Sequence, residues 1–193
     1  MSYTPPHTLS NSVMKAFLLA TLLACSTPLL HAADWKQEVT AQTHLLGHRN
    51  MIIVADSAYP IQTGSGIKVI ATDAPHQEVV AFVAKSIAAS PGIRAKIALD
   101  REFRYVPEKH APGAAKLRES LLAVLKGKEA PREELHETLL KEVNQTAGEY
   151  SVVVFKTTCA IPYSSVFFTL DCGYWSAEAE KDLREAMKAD PAK

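Results

Sequence analysis

Cysteine is scarce in this chain: Cys25, Cys159 and Cys172 are its three, in 193 residues. None stands in a C-x-x-C pair, so a zinc ribbon or a thioredoxin-like redox centre lacks its ligands. Charge of one sign is missing too, since 21 basic side chains face 21 acidic ones, and without a basic face nucleic acid is not an expected partner. No apolar run reaches the roughly 20 residues that cross a bilayer. The eight glycines form neither a G-x-G-x-x-G turn nor a phosphate loop, so Gln62-Thr63-Gly64-Ser65-Gly66 reads as a flexible connection. The seven histidines include no H-E-x-x-H or H-x-H pair, and no G-x-S-x-G elbow occurs, which argues against a metal site and a serine hydrolase. No cofactor is expected.

What is present suffices for one domain, because 47% of the residues are hydrophobic and no shift of composition divides the chain. The first 32 residues read as a signal peptide. Met14-Lys15 supplies a start and a positive charge, Ala16 to Ala24 is the apolar centre, and Leu30-His31-Ala32 ends on a small residue suited to signal peptidase. Residues 1–13 add no such pattern, so translation starting at Met14 is a second expectation. The mature chain then begins near Ala33 as an exported, periplasmic or secreted protein. An alternative stays open: Leu22-Leu23-Ala24-Cys25 resembles a lipobox, which would anchor the protein to a membrane through a lipidated Cys25. In either oxidising compartment Cys159 and Cys172 read as two buried apolar thiols or as a disulfide worth about 3 kcal/mol.

Along the expected domain, 33–175, Asp34 caps a helix from about Trp35 to Leu46 that offers Val39, Leu45 and Leu46 to a core and stops at Gly47. Met51 to Val54, apolar without interruption, reads as a strand buried on both faces. Ile67 to Ala71 and Ile93 to Leu99 are further strands, separated by a helix that Asp73 and Pro75 start. Its stripe is Val79, Val80, Phe82, Val83 and Ile87, and Ser90-Pro91-Gly92 ends it. A polar stretch, Asp100 to Gly113, precedes helices at about Ala114 to Leu125 and Arg132 to Gln145. Tyr150 to Phe155 and Val166 to Leu170 are the last strands. Residues 176–193 form a charged helical extension with little apolar face. Strands alternating with helices predict an α/β fold, a layered sheet of short, largely parallel strands with helices on both faces.

The segment Leu46-Gly47-His48, with Ile53-Val54-Ala55-Asp56 and Tyr59-Pro60, resembles the opening of the D-ribose pyranase / L-fucose mutarotase (RbsD/FucU) family, histidine and aspartate eight residues apart. Cys159-Ala160-Ile161-Pro162-Tyr163-Ser164-Ser165 and the apolar run after it are similar to the family's Pro-Tyr-x-Asn segment and last strand. The resemblance implies an RbsD-like fold and a cofactor-independent isomerase. Such an enzyme interconverts cyclic forms of a ribose- or fucose-like monosaccharide by acid–base ring opening. It implies that His48 transfers the proton while Asp56 and Tyr163 contact the sugar. Ser165 stands where the family has asparagine, and the family's further histidine and basic residue fall near His136 and Lys141. Imidazole suits the chemistry because its pKa lies near working pH.

Extended chain places His48 and Asp56 roughly 25 Å apart, too far to grip one sugar. Two subunits could bring them to one sugar, and a sharply bent strand would also serve; the resemblance implies the first, a homo-oligomer with sites at subunit interfaces, and self-association is the expectation. Two rival functions are carried forward: a non-catalytic periplasmic sugar-binding module on the same scaffold, and an interaction protein built around the oligomer and the charged extension. Fractionation with N-terminal sequencing is expected to recover an exported protein whose first residue lies near Ala33; the full-length chain in the cytoplasm would exclude export.

Overall fold

The computed structural model describes residues 1–2, 34–127 and 130–189. The expected export segment, Cys25 included, lies outside the described residues. Helix α1 (Trp35–Leu45) is followed by β1 (Met51–Ala55), β2 (Ile67–Ala71), α2 (His76–Ala89), β3 (Ile93–Asp100) and a 3-10 turn (Arg101–Tyr105). Then come α3 (Ala114–Leu125), β4 (Arg132–Glu134), α4 (His136–Glu149), β5 (Val152–Lys156), β6 (Val166–Cys172) and α5 (Ala177–Ala189).

The six strands form one sheet in the order β2-β5-β1-β6-β3-β4. β1 pairs in parallel with β5, β5 with β2 and β3 with β4, whereas β6 lies antiparallel between β1 and β3. Five strands thus share one direction and β6 alone runs against them. All of β1 is buried. Its Ile52 and Val54 join the core beneath α1, α2 and α3, with Val39, Val79, Val83 and Leu121. Its Met51, Ile53 and Ala55 join the second core beneath α4, with Leu139 and Val143. Alternation along a strand sends successive side chains to opposite faces, so an unbroken apolar run is what a doubly covered strand requires. The α/β layered architecture is as expected.

Local expectations fare unevenly. Asp34 caps α1 by accepting the Lys36 N–H at 3.0 Å, and Val39 and Leu46 are buried, but Leu45 is 78% exposed because it turns away from the Val39–Thr43 face. Asp73 does not start α2. It has a left-handed φ of 48°, and Pro75 is the residue before the first helical turn. The helix expected from Arg132 begins four residues later. Arg132–Glu134 instead pairs with Ala98–Asp100 as a short, charged edge strand, a composition that discourages further pairing. Gly66 is needed where it is: a Cβ there would lie 2.3 Å from the Ala147 carbonyl oxygen and 2.8 Å from that of Tyr150.

The disulfide reading is corrected. Among the described residues Cys159 and Cys172 are free thiols. Cys159 lies in the loop before β6 and Cys172 at its far end, so a strand length of roughly 20 Å intervenes where a bridge demands Cα atoms within about 7 Å. Alkylation without reductant followed by peptide mass analysis is expected to label both Cys159 and Cys172. Labelling that requires reduction would restore the bridge.

Candidate functional site

Because five strands run the same way, their carboxyl ends share one edge of the sheet, and β6 starts at that edge. Register shows what this brings together: Val166 lies opposite Val54 on one side and Leu99 on the other. One residue further, Ser165 falls between Ala55 and Asp100, and Asp56 follows directly. Ligands of open α/β sheets commonly bind outside these carboxyl ends. Here the edge holds a cavity of about 320 Å³ lined by Asp56, Tyr59, Pro60, His136, Pro162 and Tyr163 among others, near the lower bound of small-molecule pockets.

His136 is the best-positioned proton carrier in it. Its Nδ1 lies 2.9 Å from Asp100 Oδ1, and the Asp100 side chain is wholly buried. A carboxylate can only accept, so Nδ1–H donates and Nε2 is left as the basic nitrogen. The backbone is fixed as well. His136 opens α4 with no capping side chain from Leu135, and both Glu102 carboxylate oxygens accept its N–H, at 3.1 and 3.2 Å. The other Asp100 oxygen is buried with no partner among the described residues. Burial pushes the Asp100 carboxyl up to about 6, against the opposing pull of His136. Tyr163 stands edge-on to His136, ring centres 5.4 Å apart, on a backbone with φ +57°, a conformation bulky residues seldom adopt outside functional or strained sites.

Asp56 has two duties. Oδ1 accepts the Ala58 N–H at 2.8 Å and so builds the turn, while Oδ2 accepts from the Ser165 hydroxyl at 3.5 Å. Ser165 is 1% exposed and is absent from the cavity lining, so it reaches the site through Asp56. Tyr59 closes the floor. It is buried, its hydroxyl meets Gln62 at 3.3 Å, and burial raises its phenol well above the ordinary range. Lys156 Nζ donates to the Tyr59 carbonyl at 2.8 Å and holds this loop to β5.

Of the residues singled out from sequence, the fold therefore brings Asp56, His136 and Tyr163 to one cavity and sets Ser165 behind them. Lys141 is not brought there. It is exposed on α4, and five residues at 100° each turn it away from the direction of His136. His48 is not brought there either: it is exposed before β1 and lines a different hollow with Arg49, Arg94, Lys96, Asp171 and Trp175, at the opposite edge of the sheet. Among the described residues no cluster of three or more His, Cys, Asp or Glu side chains that could hold a metal occurs.

Two positions were missed. Asp100 carries the same signal as Asp56, an acid directly after an apolar strand, and that repetition would have found it. His76 offered no signal. It is 3% exposed at the start of α2, with Nε2 2.8 Å from the Ser164 carbonyl and Nδ1 3.0 Å from the Thr157 hydroxyl. It thereby ties the loop carrying Pro162 and Tyr163 to α2. The carbonyl accepts from Nε2–H. The hydroxyl can donate to neutral Nδ1, or turn to the Ala55 carbonyl at 2.9 Å and accept from Nδ1–H. No hydrogen bond is lost on protonation, so burial is what lowers the His76 pKa to about 4.

His76 and Asp100 give stability opposite slopes with pH. Folded His76 binds fewer protons than the unfolded chain between about 4 and 6.5, so its contribution falls as pH drops. Folded Asp100 binds more protons between about 4 and 6, so its contribution falls as pH rises. Relative to wild type, His76→Gln is expected to lose stability from pH 4 to 6.5 and Asp100→Asn to gain it, each by about 1–3 kcal/mol. Urea unfolding across that range reads both slopes, and parallel curves for the variants and wild type would refute the assignment.

No protein-family model matches the chain, and no curated protein sequence matches it. Solved structures do match. RbsD of Bacillus subtilis, complexed with D-ribose, is 15% identical with a TM-score of 0.50, over 72% of this chain and 93% of that one. The fucose mutarotase of Streptococcus pneumoniae, in complex with L-fucose, is 17% identical with a TM-score of 0.45, over 73% and 96%. With the strand order, the layers of helices and the overlap with RbsD in hand, the chain has the RbsD-like α/β fold.

Proposed function

We propose that the cavity at the strand ends is a monosaccharide site and that the protein interconverts cyclic forms of an aldose without a cofactor. The observation that carries this reading is the grouping of Asp56, His136 and Tyr163 around one cavity, with the imidazole oriented by a buried carboxylate. The D-ribose held by the similarly folded RbsD supports the ligand class. The reaction needs one proton removed from the anomeric hydroxyl and one added to the ring oxygen as the bond from that oxygen to the anomeric carbon breaks. The open-chain aldehyde results, and reclosure reverses both transfers. Nε2 of His136 suits removal of the hydroxyl proton, with Asp100 stabilising the imidazolium that forms. Asp56 and Tyr163 supply an acceptor and a phenol for the sugar hydroxyls.

His48 enters from a second copy in this reading. A contact joining one edge of the sheet to the opposite edge of the next copy is heterologous and forms a ring when its rotation closes; in the proposed ring, His48 of the partner subunit lies beside Asp56 as the second proton carrier. Export, proposed from the leader sequence, puts the site outside the cytoplasm. The buried Ser165 and the distant Lys141 favour one rival, a sugar-binding module without turnover.

Exchange NMR across the common aldoses that the wild type binds separates them. His136→Asn and His48→Gln are each expected to slow interconversion by about 10²-fold or more, while Asp56→Asn mainly weakens binding. Binding without exchange in the wild type would favour the module. A folded His48→Gln protein at the wild-type rate would remove the second copy from the mechanism.

A further inference from the structure

Beside the cavity lies a second hollow of about 350 Å³, and Pro162 and Tyr163 line both. Its remaining walls are mainly apolar, from Tyr105, Val106, Pro107 and Ala111, with Glu102 and His110 as the polar members. Tyr105 is 69% exposed, yet its backbone is pinned. The Arg118 guanidinium donates to the carbonyls of Phe103 at 2.6 Å and Arg104 at 3.1 Å, and Arg104 pairs with Glu133 at 2.7 Å. An open aromatic ring on a fixed turn is a preorganised surface, which lowers the entropic cost of binding.

Tyr163 separates the two hollows, and its left-handed backbone is held by the Ser164 hydroxyl donating to the Ile161 carbonyl at 2.8 Å. Strained backbone that the surroundings hold in place is found at ligand clamps. Each hollow alone lies near the lower bound for enclosing a small ligand, and their shared walls, Pro162 and Tyr163, set them side by side. The chemistry of the lining then names the occupant. A pyranose has C–H faces that pack on aromatic rings and hydroxyl edges that seek charged groups. An apolar hollow with two tyrosines, one carboxylate and one imidazole meets both demands.

We infer that the site takes a reducing disaccharide. The reducing ring lies against Asp56 and His136, and the second ring lies over Tyr105 and Tyr163 with its hydroxyls toward Glu102 and His110. This rests on the sugar-site reading above and narrows its substrate class.

Calorimetric titration of the full chain with D-ribose, L-fucose and D-glucose, and with maltose, cellobiose and lactose, tests it. At least one disaccharide is expected to bind about tenfold more tightly than any of the monosaccharides, and Tyr105→Ala to bring its affinity down to theirs. Monosaccharide binding with no preference for a disaccharide overturns the inference and leaves the sugar site standing. Absence of binding by any of the six sugars overturns both. A changed sedimentation coefficient in Tyr105→Ala with unchanged sugar selectivity assigns the hollow to a contact between copies and also overturns the inference.

Discussion

Burial of β1 on both faces is the constraint on which the rest of this structure depends. Met51, Ile52, Ile53, Val54 and Ala55 are each at most 2% exposed. Such a strand cannot sit at an edge or on a half-solvated sheet, because every side chain it presents needs cover. The fold meets this with α1, α2 and α3 on one face and α4 on the other. It follows that the polar residues flanking β1 emerge at opposite edges of the sheet, His48 at one and Asp56 at the other. The separation of these two side chains is thus a consequence of the core.

The reversed strand β6 concentrates chemistry at one of those edges. Placed between β1 and β3, it brings its starting loop to the point where two neighbouring strands end in aspartate. Asp56 is half-buried and accepts hydrogen bonds from a backbone N–H and a hydroxyl. Asp100 is wholly buried, one oxygen without a partner among the described residues, the situation of a carboxylate whose charge is costly and which holds an imidazole in return. Two acids one strand apart therefore sit in different environments, set chiefly by solvent access. The loop between β5 and β6 is held by the buried His76, so the position of Tyr163 is linked to the start of α2 although neither residue touches the other in sequence or in the cavity.

The sequence by itself determined the α/β class, the position of five of the six strands and the interior of β1. Short, β-branched segments bounded by turn residues read as strands, and the helical periodicity between them points to a layered sheet. The family resemblance pointed to Asp56 and Tyr163, which follow a buried strand and a rigid proline and meet at one cavity, and equally to His48, which the fold sets at another hollow. Helix starts were less legible. Arg132–Glu134 has the composition of a solvated helix turn, and only pairing with Ala98–Asp100 makes it a strand.

Tertiary structure alone decided which residues meet. Asp100 and His136 are 36 positions apart, and no local pattern links them. They come together because β3 and β4 run side by side and α4 starts where β4 ends. The same packing keeps Cys159 from Cys172 across the length of β6, and sends Lys141 round α4 away from the site. Spacing along a chain reports which residues share an element. Partnership across elements is set by strand order and register, which arise from how the whole set of apolar faces is covered at once, and that is a property of no single segment.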